Sequence, residues 1–273
     1  MTGHGTSYGA VSVVNAIPCG MGATIGIRLK SSVTYEETGD RKEIDILRSR
    51  NMNKAMARIC VKKTLESIHT DRSVDYKLTI DSQIPPSRGL KSSSSVCNAI
   101  ISAVLDEHGI RPDPMRVIKL GVECAREANV TVTGAFDDAC GCHLGGLVFT
   151  DNRRDRLLER REIPQYDVVL LISGRTIGKS TVPVMEYSRR KNEMREVLAL
   201  AHNDPLKALT ANGRIVADII GMDTAPIDRA LELGALAAGV TGTGPAIAII
   251  TEKGKGKALA GQMGERYMLS RTR

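Results

Sequence analysis

The chain reads as a two-part protein of mixed helix and strand, and three observations predict this. Its 273 residues suffice for one large domain or two ordinary ones. Strand-like and helix-like patterns are mixed in both halves, with no internal repeat. Between the halves, Asp151 to Glu162 sets five arginines against four carboxylates, which reads as a solvated connection and not as a basic arm. The boundary is placed there, with units at 1–155 and 156–273. Apolar residues at 42% and charged residues at 25% exclude wholesale disorder.

Ala10 to Ile17, rich in Val and Ile, reads as a buried strand, and Ile25 to Tyr35 as a second. Asn53 to Ile68 carries Met56, Ile59, Cys60 and Leu65 at helical spacing. Asp75 to Ile80 alternates as a strand does and runs into Pro85-Pro86. Ser92 to His108 shows Val96, Ala99, Ile100, Ala103 and Val104 on one helical face, with Gly109 as the stop. Asp113-Pro114 begins another helix that ends near Glu127. After Thr133-Gly134, a short polar segment leads through Gly145-Gly146 to a strand at Leu147 to Thr150. In the second half, Asp167 to Ser173 and Ala246 to Thr251 read as strands. Val184 to Ala201, Pro205 to Ile220, Pro226 to Leu236 and, more weakly, Lys257 to Tyr267 read as helices.

The net charge of +7 suits nucleic acid, an anionic membrane surface or small phosphorylated anions. No Trp, two Phe and six Tyr leave a base-stacking platform poorly supplied, so small anions are favoured over nucleic acid. Met1 to Ser7 shows no basic region leading into an apolar core, and no run has the length of a membrane span. Thr2 stands where myristoylation requires glycine. The expectation is a cytoplasmic protein with no membrane partner. The six cysteines are dispersed and read as reduced thiols. Cys140-Gly-Cys142-His143 lacks a second ligand pair at zinc-like spacing, so no metal corner is expected there.

The most informative stretch is Ile84 to Ser95, I-P-P-S-R-G-L-K-S-S-S-S. Pro85 and Pro86 stiffen the entry, Gly89 permits a tight turn, and Ser92, Ser93, Ser94 and Ser95 open a helix. A helix N-terminus offers free N–H groups and partial positive charge. Capping needs one hydroxyl, not four. No carboxylate occurs in the stretch, while Arg88 and Lys91 add positive charge. An anion, such as phosphate, is expected here. Ser173 to Ser180 imitates a Walker A loop, but its glycine, Gly174, is one residue too close to Gly178-Lys179-Ser180, and Pro183 falls where the helix should continue.

Two further segments carry chemistry. Thr131-Val-Thr-Gly-Ala-Phe-Asp137-Asp138 places adjacent carboxylates after a glycine, which suits either a turn or a general base or cation ligand. Glu127 precedes it at a helix end. Gly239-Val-Thr-Gly242-Thr243-Gly244-Pro245 lets backbone approach a ligand closely and adds hydroxyls.

In this order the segments resemble the GHMP kinases, whose central motif Ile84 to Ser95 matches except at Lys91, where Gly or Ser is usual. Within that superfamily the chain is most similar to the archaeal-type shikimate kinases. The likeness rests on Val14-Asn15-Ala16, Ser92 to Ser95, Thr131 to Ala139, Gly145-Gly146, Thr150-Asp151-Asn152 and Gly242-Thr-Gly-Pro. The resemblance implies a two-domain α+β fold, with an N-terminal phosphate-loop domain and a ferredoxin-like C-terminal domain. It implies transfer of the ATP γ-phosphoryl group to the shikimate 3-hydroxyl. ATP would be held by Pro85, Pro86, Ser87, Arg88, Gly89, Leu90, Lys91, Ser92, Ser93, Ser94, Ser95, Gly242, Thr243 and Gly244. Mg²⁺ would be held by Ser93 and Glu127, and Asp138 would act on the acceptor hydroxyl. Homoserine or a mevalonate derivative is the alternative acceptor. The lysine that mevalonate kinase-like members carry in the first motif is replaced here by Gly9-Ala10.

Overall fold

The computed structural model describes residues 1–39, 41–48, 54–70, 74–111, 113–174, 176–178 and 181–273. Lys179 and Ser180 of the Walker-like run, and Asn53 at the expected helix start, lie outside the described residues. The first half comprises β1 (Thr2–Val14), α1 (Ala16–Cys19), β2 (Met21–Thr38), β3 (Glu43–Ile46), α2 (Lys54–Ser67), β4 (Asp75–Ser82), α3 (Ser92–Glu107), α4 (Pro114–Glu127), α5 (Phe136–Leu144), β5 (Leu147–Asp151) and β6 (Arg156–Arg161).

β2 is the spine of the first sheet. β1 runs antiparallel along one edge of it, while β5 pairs with Met21–Ile25 and β4 with Ser31–Thr38 on the other. β3 joins β4 in parallel, and β6 continues beyond β5. Met56, Cys60, Val96, Ile100, Val104, Val117 and Cys124 from α2, α3 and α4 form one buried cluster with Val33, Leu78 and Ile80 of the sheet. The helical spacing read from the sequence is therefore the spacing of a core-facing stripe.

Three elements depart from expectation. β1 begins eight residues before Ala10, because its inward positions from Gly3 to Gly9 include glycines and polar residues that give no apolar alternation. Asn15 ends the strand by capping α1, its side chain accepting from the Ile17 N–H at 2.9 Å. Asp151 to Glu162 is not a solvated connection. Arg156–Arg161 folds back onto β5 as an edge strand, and its charges are those an exposed edge carries to deter further pairing. A cut at 155/156 would fall in the turn of that hairpin, since the chain leaves the first sheet only after Arg161.

The second half comprises β7 (Tyr166–Leu171), α6 (Val184–Arg189), α7 (Lys191–Asn203), α8 (Pro205–Ile219), α9 (Ala225–Glu232), β8 (Ala237–Val240), β9 (Ile247–Glu252), α10 (Gly256–Met263) and β10 (Tyr267–Arg271). Its sheet runs β10-β7-β9-β8 with antiparallel neighbours. In chain order those strands are numbered 4-1-3-2 across the sheet, the ferredoxin-like arrangement. The single helix read over Val184 to Ala201 is two helices meeting at Arg190, whose guanidinium binds Glu193 and Asp218. The halves share a core: Val11, Ile25 and Ile27 of the first sheet bury with Val168, Leu170 and Ile250 of the second and with Met194 and Leu209. This common core fixes the second half against β1, and so fixes the loop after β8 against the N-terminus of α3.

Candidate active site

The serine turn forms a helix start as expected. Lys91 occupies the N-cap in left-handed backbone, φ 66°, and its side chain makes no capping bond. The first helical hydrogen bond runs from the Ser95 N–H to the Lys91 carbonyl at 3.0 Å. The N–H groups of the preceding serines are thus left to other partners. Leu90 anchors the turn in the shared core. Gly89 sits at φ 77°, and a Cβ there would collide with the Thr241 carbonyl, so only glycine lets the loop after β8 lie this close. That loop is tied on by Thr241, whose hydroxyl donates to the Gly89 carbonyl at 3.3 Å and accepts from the Ser12 N–H at 2.9 Å. Asn15 Nδ2 donates to the Gly242 carbonyl at 2.8 Å. Arg88 Nη2 donates to the Gly174 carbonyl at 3.4 Å, while its Nη1 is buried without a hydrogen-bond partner among the described residues.

The Asp137-Asp138 pair is not in a loop. It lies in the first turn of α5, a helix that the sequence pattern did not reveal. α5 is buried on nearly every side, so its residues show no two-faced period. Gly141 in its middle packs against β2, where a Cβ would collide with the Thr24 hydroxyl. Asn98 of α3 donates to the Ala139 carbonyl at 3.0 Å. At the far end, Arg273 Nη2 donates to the His143 carbonyl at 2.8 Å and the Cys142 carbonyl at 3.2 Å, satisfying last-turn acceptors that a helix leaves open.

The two aspartates have different surroundings. Asp137 Oδ1 accepts from Asn152 Nδ2 at 2.6 Å, and its backbone N–H donates to Asn152 Oδ1 at 3.1 Å. Burial, then the neighbouring Asp138 charge, pushes the Asp137 pKa up to about 6. Asp138 Oδ1 meets Lys91 Nζ at 2.7 Å, and Nζ also donates to Ser12 Oγ at 2.8 Å. The Lys91 side chain is 5% exposed. Burial works against its charge, but the charges of Asp138 and Asp137 outweigh it and raise its pKa.

Two cavities meet at this pair. One, about 340 Å³, lies against the N-terminus of α3 and reaches an apolar end at Met56, Val96, Ala125 and Val130. The other, about 30 Å³, is lined by Ser12, Asn15, Thr133 and Asp137 among others. Lys91, Thr131, Ala135, Asp138, Gly242 and Thr243 face both. The larger cavity offers an apolar seat beside anion-binding donors. The smaller, with room for only a few heavy atoms, offers hydroxyl, amide and carboxylate partners for one polar end of a ligand.

The family model for the GHMP kinases N terminal domain matches residues 53–146, and that for the GHMP kinases C terminal matches residues 193–268. The chain belongs to the GHMP kinases. This GHMP kinase is 36% identical to the shikimate kinase of Pyrococcus abyssi over 93% of both chains. It is 35% identical to the shikimate kinase of Methanocella arvoryzae, covering 93% of this chain and 87% of that one. Among solved structures, the mevalonate kinase of Methanococcus jannaschii superposes with a TM-score of 0.78 at 18% identity, covering 100% of this chain and 98% of that one. A putative homoserine kinase from Listeria monocytogenes gives 0.70 at 16% identity, covering 99% and 96%. At such identities the structures report the fold.

The GHMP kinase brings most of the expected residues together. Pro85 through Ser94 all face the larger cavity, and Asp138, Gly242 and Thr243 face both. Three residues are placed elsewhere. Ser95 is inside α3, its hydroxyl donating to Ser31 Oγ at 2.9 Å. Gly244 is turned into the second half, its N–H on the Thr241 carbonyl at 2.9 Å. Glu127 pairs with Lys63 Nζ of α2 at 3.0 Å and does not line either cavity. In this structure the last turn of α4 turns this carboxylate toward α2. Thr131 and Asn152 stand inside segments quoted from the sequence but have no role of their own there, and Ser12 is not singled out by any motif. Ser12 did leave one signal, a lone hydroxyl in the apolar run Ala10 to Val14.

Proposed function

We propose that this GHMP kinase is a shikimate kinase, moving the ATP γ-phosphoryl group to the 3-hydroxyl of shikimate. The observation that carries the acceptor is the identity of about one third, over nine-tenths of the chain, to shikimate kinases. The geometry supports the reaction type. Asp138 stands where the two cavities meet, so a hydroxyl in the smaller one would face a phosphoryl group held at α3. Asp138 takes the proton as the acceptor oxygen bonds to the γ-phosphorus, and the bond from phosphorus to the ADP oxygen breaks. The α3 N–H groups and the Ser92, Ser93 and Ser94 hydroxyls hold the phosphates, and the Gly242-Thr243 backbone closes the site from the second half.

Mg²⁺ fits this donor set. The described residues contain no cluster of three acidic, His or Cys side chains that could cage a metal alone, and Mg²⁺ typically takes most of its ligands from phosphates and water. Ser93 is the hydroxyl that would hold it, and the ion would neutralise phosphate charge. No helix among the described residues is long and apolar enough to cross a membrane. By likeness to the shikimate kinases, the partners proposed are the small molecules ATP and shikimate, and the place proposed is the cytoplasm. The test is ADP release by the purified chain with ATP and Mg²⁺, offered shikimate, homoserine and mevalonate separately. Release that depends on shikimate supports the reading. Release with homoserine or mevalonate but not with shikimate overturns the acceptor.

A further inference from the structure

We propose that Lys91 is a catalytic residue, whose ammonium ties the Asp138 carboxylate to the phosphoryl group in transit. The proposal rests on the kinase reading above and deepens it. Three observations carry it. Among the described residues, Lys91 is the cation that faces both cavities, in company with Asp138, Thr131 and Thr243. Its ammonium has three donors; one goes to Asp138 and one to Ser12, and the third has no acceptor among the described residues. A buried ammonium with an unspent donor beside an anion-binding helix end is set for a ligand oxygen. Lastly, Lys91 holds left-handed backbone, a conformation costly for a side chain of this size, while Gly89 two positions earlier shows that the same loop uses glycine elsewhere.

The second half supports the ammonium indirectly, through Ser12. The Ser12 hydroxyl that accepts from Lys91 also accepts from the Gly242 N–H at 3.2 Å, and a Cβ on Gly242 would lie 3.1 Å from Nζ. Strand β1, helix α5 and the loop after β8 thus converge on one nitrogen. Two carboxylates, Asp137 and Asp138, face this single cation before any substrate enters. In the transition state the shared charge spreads onto the equatorial phosphoryl oxygens, where a fixed cation stabilises most. Lys91 moves no proton in this scheme. It orients the base and stabilises the group being transferred.

The experiment is a double-mutant cycle on the full chain, using Lys91→Met, Asp138→Asn and the double variant. It reads ADP release with shikimate and, separately, binding of a non-hydrolysable ATP analogue. Lys91→Met should lose about 10²–10³-fold in kcat, the loss typical of removing one transition-state donor. Analogue binding should change far less. The double variant should be about as slow as Asp138→Asn by itself, because residues that act on one step are not additive. Lys91→Gly relieves the backbone strain but, like Lys91→Met, leaves Asp138 without its cation. It should lose kcat to a similar degree, and melting curves of each variant, with kinetics read well below its Tm, separate folding from chemistry. Normal kcat in both lysine variants overturns the proposal, as does a loss confined to analogue binding, or strictly additive losses. If the parent releases ADP only with another acceptor, the cycle runs on that acceptor, so a wrong substrate and a wrong lysine are told apart.

Discussion

The N-termini of α3 and α5 face each other across the site and begin in the same way, yet their first turns are opposite in chemistry. Each follows a non-glycine residue in left-handed backbone, Lys91 at φ 66° and Ala135 at φ 52°, and neither N-cap side chain bonds to its helix. The α3 turn holds serines and no acid. The α5 turn holds two buried aspartates. A helix N-terminus favours negative charge in both cases. At α3 that charge is left for a ligand, and at α5 it is built in. The same dipole therefore serves as an anion seat on one side and supports built-in carboxyl groups on the other, and Lys91 bridges them.

The largest test of this contrast is to remove the built-in charge. Asp138→Asn should lower kcat by about 10²–10⁴-fold, the usual contribution of a positioned base, while analogue affinity stays near normal. Parallel steady-state kinetics of Asp137→Asn decide the assignment. A dead Asp137→Asn enzyme beside a near-normal Asp138→Asn enzyme would move the base by one residue.

On the α3 side, Ser93→Ala should raise the half-saturating Mg²⁺ concentration by about tenfold, as expected for loss of a hydroxyl bound to a charged group. A Mg²⁺ titration of activity reads it, and an unchanged midpoint would leave phosphates and water as the only ligands. The same titration on Glu127→Gln should shift little, because that carboxylate pairs with Lys63. A shift as large as that of Ser93→Ala would mean that Glu127 leaves Lys63 during turnover.

Asp137 sharpens the α5 side through pH. Its folded pKa of about 6 lies above an unfolded value of about 3.9, so the folded chain holds this proton more tightly. The resulting stability is present in full below the unfolded value and is lost as pH rises through about 6. Melting curves of Asp137→Asn from pH 4 to 7 should lack that decline relative to the parent. An identical slope would show that Asn152 and Lys91 hold Asp137 ionised throughout. The smallest effect is expected for Lys179→Ala, since the Walker-like spacing around it is one residue short. Loss of analogue binding in that folded variant would relocate the nucleotide site.

What the sequence determined was local. Prolines, a glycine and four serines in one stretch suffice to write a tight turn into an anion-binding helix end, because turn chemistry and free N–H groups depend on neighbours in the chain. The apolar stripes of α2, α3 and α4 were legible because each helix buries one face. The α+β class was legible from the mixed helix and strand patterns and from the family resemblance, and the acceptor came from the resemblance alone. Other features were decided by the tertiary structure alone. α5 has no stripe because it is enclosed on nearly every side, and β6 looks like solvated linker because an edge strand carries charge. Glu127 and Asp138 read equally well as site carboxylates. Which of them reaches the cavity depends on how α4 and α5 pack, which gives Glu127 to Lys63 and Asp138 to Lys91. A side chain's neighbours across a fold are set by helix rotation and by the core beneath, and neither is encoded in the residues on either side of it.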